Sequence, residues 1–187
     1  MKKIKRNVLY IFPVLMLISN FAFAQIDEAQ LDIYFSLPEV ALIDIEPSTD
    51  NNVNFTVNPG IESGSSPSIQ QSNSDLWINY SSSLSSSQNS RSIVAEISQG
   101  FFPEGITLYL QASNYSGTGG GQHGVSAGKI ALSNQPKPII TNIGSCFTGD
   151  GINNGHQISF SIEITDYTKV VSVQNSNILV LYTLTDN

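Results

Sequence analysis

From Gln157 to Thr165 apolar and polar residues alternate without a break. Ile158, Phe160, Ile162 and Ile164 fall on one side; Gln157, Ser159, Ser161 and Glu163 fall on the other. Successive side chains of a β-strand point to opposite faces, so a period of two marks a strand with one face buried and one wetted. The same period recurs along the chain. Leu31, Ile33, Phe35 and Leu37 alternate with Asp32, Tyr34 and Ser36, and Val53, Phe55 and Val57 with Asn52, Asn54 and Thr56. Leu76, Ile78 and Tyr80 share a face opposite Trp77 and Asn79. Ile93, Ala95 and Ile97 form a further row, as do Ile106, Leu108 and Leu110. Val40 to Ile45 and Ile178 to Leu184 are apolar on both faces, which predicts central strands or strands covered on both sides.

The stretches between these rows are rich in turn formers: Asn58-Pro59-Gly60, Ser63 to Pro67, Gly117 to Gly124 and Gly149 to Gly155. Clusters of Gly, Pro, Ser and Asn break regular structure. Apolar spacing of three and four is not sustained anywhere, so almost no helix is expected after the leader. Nine or ten short strands with such turns predict an all-β chain, an antiparallel immunoglobulin-like β-sandwich. A closed barrel or jelly roll is the alternative.

The first 24 residues have the composition of a signal peptide. Lys2, Lys3, Lys5 and Arg6 make a cationic start, an apolar run follows from Val8 to Ile18, and Ala22 and Ala24 give the small-x-small cleavage pattern. Pro13, Ser19 and Asn20 interrupt the apolar run, which is shorter than the roughly 20 residues a membrane span needs. Residues 1–24 are thus expected to be removed, and residues 25–187 to form one domain, secreted, periplasmic or held at the cell surface. Removal leaves four basic residues against 15 acidic ones, a net charge of −11. That balance excludes nucleic acid, which needs Lys and Arg against phosphate, and disfavours anionic lipid. Cys146 is the sole cysteine, so no internal disulfide is open to the chain. Its uncharged neighbours, Ser145 and Phe147, do not activate it, and a small buried residue near a strand end is expected.

Motifs that suggest chemistry fail on context. Gly124-Val125-Ser126-Ala127-Gly128 matches the G-x-S-x-G elbow, which needs a strand before the serine and a helix after it. Here a Gly-rich stretch precedes, and Lys129 to Leu132 reads as a strand. A phosphate loop ending at Gly128-Lys129 lacks the first glycine and the following Ser or Thr. Asp150 to His156 places oxygen donors close together, but Ile152 occupies the third position of an EF-hand loop. A tight turn is expected, with a looser calcium site built partly on backbone carbonyls as the alternative; otherwise no cofactor is expected. His123 and His156, the only histidines, are too few for zinc on their own. Asp44 and Glu46 share one side of a strand and read as an exposed strand end. Trp77 is a core residue or, with Tyr80, part of a sugar platform. The candidate contact residues for a ligand or partner are therefore Trp77, Asp150, Asn153 and His156. Leu31, Ile33, Phe35 and Leu37 are the candidate edge or donor strand, with a home inside the same domain favoured because sequential strands are usually neighbours.

Three segments carry a resemblance: Leu37 to Pro47 after the leader, Leu76-Trp77-Ile78-Asn79-Tyr80, and Gly149 to His156 followed by the alternating strand; Leu181 to Asn187 closes the chain. This layout resembles a family of small exported bacterial β proteins. More distantly it is similar to fimbrial major subunits and spore-coat-U-like proteins, although the paired cysteines of many pilins are missing. The resemblance implies a pilin-like fold and a non-enzymatic surface, structural or adhesion role. Its partners would be a protein, a cell-surface glycan or further copies of the chain. It implies no catalytic residues. A secreted carbohydrate-binding module, calcium-assisted through the Thr148 to His156 loop, is the competing expectation, and a hydrolase on a β scaffold is a third.

Overall fold

A computed structural model describes residues 29–47, 51–71, 75–173 and 176–187. The leader lies outside these residues. The chain divides into two units, 1–36 and 37–187, and every strand belongs to the second. The strands are β1 (Val40–Glu46), β2 (Phe55–Asn58), β3 (Ser68–Gln71), β4 (Leu76–Ser83), β5 (Arg91–Gln99) and β6 (Ile106–Ala112). They continue with β7 (Gly120–Ser126), β8 (Lys129–Ala131), β9 (Lys137–Phe147), β10 (His156–Ile164) and β11 (Leu179–Asp186). No helix occurs among the described residues. Every pairing is antiparallel. Nine strands join in the order β11-β5-β9-β4-β10-β6-β8, with β1 added to β4 and β7 to β9, while β2 and β3 form a separate pair.

The branching of β4 turns this sheet into a β-sandwich. Leu76–Ile78 pair with β10, whereas Ser81 and Ser82 pair with β9. One strand thus links a β1-β4-β10-β6-β8 run to a β11-β5-β9-β7 run. The two runs close on one core: Leu76, Ile78 and Tyr80 meet Ile93, Ala95, Leu108, Leu110, Ile139, Ile140, Ile143, Ile158 and Ile162. In β10 the alternation is visible in the burial, with Ile158 and Ile162 buried and Ser159 and Glu163 exposed. Phe160, on the apolar side, is only partly buried at the margin of the core.

Five segments differ from expectation. Val40–Ile45 and Ile178–Leu184, expected to be central or covered on both sides, lie in β1 and β11, which among the described strands pair only with β4 and with β5 and keep Leu42, Leu179 and Leu181 exposed. Leu31, Ile33, Phe35 and Leu37 carry no strand, and their side chains are 79–91 % exposed. Alternation records the capacity to pair, but a strand also needs a neighbour's backbone to pair with. Gly117 to Gly124, read as a connector, instead contributes most of β7. Its glycines serve close approach, since a Cβ on Gly121 would lie 2.2 Å from the Ser145 carbonyl oxygen across the ladder. The longest strand, β9, escaped notice because its period is broken. Ile139 and Ile140 are both fully buried, Asn142 adopts φ 58°, and the ladder to β5 shifts register twice. Bulges of this kind place consecutive residues on one face.

Candidate functional site

Two polar places stand out, one inside the sandwich and one on its surface. The inner one surrounds His156, the first residue of β10 and fully buried. Its Nδ1–H donates to the Ser113 carbonyl at 2.8 Å, and its Nε2 lies 3.0 Å from the Tyr80 hydroxyl. The Tyr80 hydroxyl also bonds the His123 carbonyl, and the Tyr80 and His156 rings stack. Tyr115 stacks flat on His123, with 3.6 Å between centroids. The Tyr115 hydroxyl donates to the Thr148 carbonyl and accepts from Gly119 N–H at 2.7 Å. His123 Nε2 bonds the Phe147 carbonyl, and Thr148 Oγ1 accepts from Tyr80 N–H at 3.0 Å.

Burial sets the protonation of this cluster. It pushes the His156 imidazole below its usual range and raises the Tyr80 phenol, and it lifts the Cys146 thiol to about 11. All three groups are held neutral because a charge there would lose its water. Cys146, unpaired and buried in the core, is the inert residue its neighbours implied. The cluster does structural work: it ties the Ser113–Gly119 loop and the Phe147–His156 connection to β4. A pH dependence follows. The unfolded chain protonates this histidine near pH 6.5, whereas the folded chain resists until a lower pH. The stability from the neutral ring is therefore complete above that pH and is lost as pH falls below it. The loss is at most about 1.4 kcal/mol per pH unit for one proton. Urea unfolding at pH 7.5 and pH 5.5 should show a lower midpoint at the acid pH. A constant midpoint would mean that the ring takes up its proton as readily inside as out.

The structure separates the four candidate contact residues. Trp77 is 8 % exposed and sits on the face opposite the core, between Glu46 and Gln157 of the flanking strands. It offers no ring to a sugar. His156 is sealed inside, so neither residue is available for contact; polarity and size are written in the local sequence, but what covers a side chain is not. Asn153 is an exposed turn residue at φ 65°. Asp150 alone reaches a surface groove. The loop's oxygens bond within the protein: Asn154 Nδ2 donates to the Asp150 carbonyl, and Asn154 Oδ1 accepts from Thr118 N–H at 3.1 Å. Among the described residues no three His, Cys, Asp or Glu side chains gather to hold a metal. Ser126 ends β7, donates to the Ala112 carbonyl at 2.6 Å and is followed by β8 instead of a helix, so the elbow context is absent. Asn79, Tyr115, Thr148 and Asn154 carry no local signal as organisers, since they bond to partners 33 to 75 positions away.

The surface groove has a volume of about 350 Å³ and lies between β1, β4 and the start of the β9–β10 connection. Leu42, Ser81 and Phe147 occupy matching positions on three neighbouring strands and so share one face. A small serine between two exposed apolar side chains makes a trough. Its other end is polar. Asp44 and Asn79 are cross-strand partners, and Asp150 borders them. Asn79 Nδ2 donates to the Asn154 carbonyl, while its Oδ1 is buried without a partner. A scan against protein-family models, a search of curated proteins and a search of solved structures each find no match.

Proposed function

We propose that this protein is an exported, non-enzymatic structural or adhesion subunit of pilin-like type. It engages other copies of itself, or a surface partner, through its N-terminal segment. The observation that carries this reading is the exposed row Leu31, Ile33, Phe35 and Leu37, outside any strand. Burying an apolar side chain is worth about 1.5–3 kcal/mol, so four in water amount to a strong tendency to find cover. Their period of two suits addition to a sheet edge, where main-chain bonds give affinity and alternate side chains fill pockets. Edges are present: among the described strands, β1 pairs only with β4, β11 only with β5, and β8 only with β6.

The test is light scattering of residues 25–187 and of a chain lacking residues 25–37. The longer chain should associate with rising concentration. The shorter should stay folded and should bind a synthetic 25–37 peptide. A longer chain that remains monomeric at every concentration, together with a shorter one that ignores the peptide, would sink the reading.

A further inference from the structure

We propose that the free edge of β11 pairs with the same edge of a second copy of this chain. The two strands run antiparallel about a two-fold axis, and the two sandwiches share one continuous sheet. The inference does not rest on the N-terminal row. An unpaired strand edge is a template for a further strand, and proteins blunt such edges with charge, proline or brevity. Among the described strands β1, β2, β3, β7, β8 and β11 each pair with a single neighbour. All but β11 are blunted. β2, β3 and β8 have four residues or fewer. β1 carries Asp44 and Glu46 and is followed by Pro47, and its Ile45 N–H donates to the Asp44 carboxylate at 2.8 Å. β7 has three glycines in seven residues, and the Tyr80 hydroxyl donates to its His123 carbonyl. β11 has eight residues, no proline and no charge before Asp186. Among the described residues its main chain from Val180 to Leu184 bonds to β5 alone. Leu179 and Leu181 are 53 % and 46 % exposed on one face, while Val180, Tyr182 and Leu184 turn toward the core. Phe101, also exposed, lies near the start of the strand, where its carbonyl accepts from Ser176 Oγ.

Charge and order say what covers this edge. Without the leader the chain carries −11, so two copies repel wherever acids face each other. No acid lies between Asp166 and Asp186, and Lys169 is the only charge in that stretch. Two copies can therefore approach along β11. Antiparallel pairing also sends the two Asp186 carboxylates to opposite ends of the contact, whereas parallel pairing would set them side by side. The copy's β11 matches in length and is already held straight by β5. The row from Leu31 to Leu37 carries no strand, so seating it here would cost the entropy of fixing every residue. A two-fold axis makes each β11 both edge and cover, so the contact closes at two copies. It leaves the β1 edge open to the N-terminal row.

Light scattering and hydrogen exchange of residues 25–187 test this. A dimer should form as concentration rises, and amides from Val180 to Leu184 should exchange more slowly within it. Leu181→Lys/Thr183→Lys sets like charges opposite each other in the registers that overlap the strands most fully, and Leu181→Glu/Thr183→Glu does the same. Each should raise the dimer dissociation constant about tenfold or more. Mixing the two variants should restore a dimer, because lysines then face glutamates; a variant that had merely misfolded could not be rescued in this way. Phe35→Lys, which breaks the N-terminal row, should remove larger assemblies and leave the dimer in place. Leu42→Lys, on β1, should leave the dimer unchanged. The proposal is overturned if no dimer forms at millimolar concentration, if the charged variants dimerise like the parent, or if mixing them restores nothing. It is also overturned if Phe35→Lys abolishes the dimer, which would give the β11 edge to the row, or if Leu42→Lys abolishes it, which would move the contact to β1.

Discussion

Neutralising both carboxylates that face Arg91, in a Glu39→Gln/Asp186→Asn variant, should destabilise the sandwich by about 3–5 kcal/mol, more than removing the arginine itself. Arg91 opens β5 and is 3 % exposed. Its Nε donates to Asp186 at 2.7 Å, and one Nη bonds Glu39. The other Nη reaches the Val40 carbonyl, the Ser83 carbonyl and Ser82 Oγ. One side chain thereby gathers the start of β1 and the ends of β4 and β11. The asymmetry comes from burial. Glu39 and Asp186 are 43 % and 54 % exposed, so water can solvate them if the arginine goes. Arg91→Met should then cost about 1–3 kcal/mol, the price of the carbonyl partners left unbonded. The converse change strands a buried guanidinium with no counter-charge, the expensive case. Gln and Asn keep shape and an acceptor oxygen, so the difference isolates charge. Urea unfolding of parent, Arg91→Met and the double variant decides it: a larger loss in Arg91→Met would show that water reaches the guanidinium.

The sequence was most legible where one face is wet and one dry. β6 and β10 follow their alternation, because burial on one face and water on the other write a period of two into the residues, whereas in β4 both faces are covered from Leu76 to Tyr80. The antiparallel all-β architecture follows from those segments. Legibility failed where sterics or pairing decide. Gly120-Gly121-Gln122-His123-Gly124 looks like a turn, yet it makes a strand because it rides close on the β9 backbone. Ile139 and Ile140 both enter the core through a register shift that no pattern announces. The row from Leu31 to Leu37 reads as a strand and is not one, since pairing depends on a partner outside the segment. The groove was half legible. Asp150 stands out in its loop, whereas Asp44 reads as an exposed strand end; the β1–β4 register sets Asp44 beside Asn79, which local sequence gives no reason to choose, and Asp150 borders the same groove.

Gly155→Ala should cost at least about 4 kcal/mol or prevent folding, a size reserved for a few mechanisms of which backbone strain is one. Gly155 adopts φ +86°, where an L residue already pays roughly 1–2 kcal/mol. The larger cost is space. A Cβ built there would sit 1.9 Å from the Ile78 carbonyl oxygen, and that oxygen belongs to β4 backbone in the middle of the sheet. Ile78 is also the register partner of His156, so the carbonyl cannot swing aside without breaking the β4–β10 ladder. If β10 retreats instead, the Asn79–Asn154 bond and the seating of His156 against Tyr80 go with it. Gly151, four residues earlier in the same connection, separates the two contributions. Its φ is +82°, but a Cβ there meets nothing within 4 Å. Gly151→Ala should therefore show the conformational cost alone, about 1–2 kcal/mol. Urea unfolding of both variants, with near-ultraviolet dichroism to follow the aromatic cluster, measures the difference. Equal losses at the two positions would mean that β10 does not press against β4 at Gly155, and the buried seat of His156 would need another explanation.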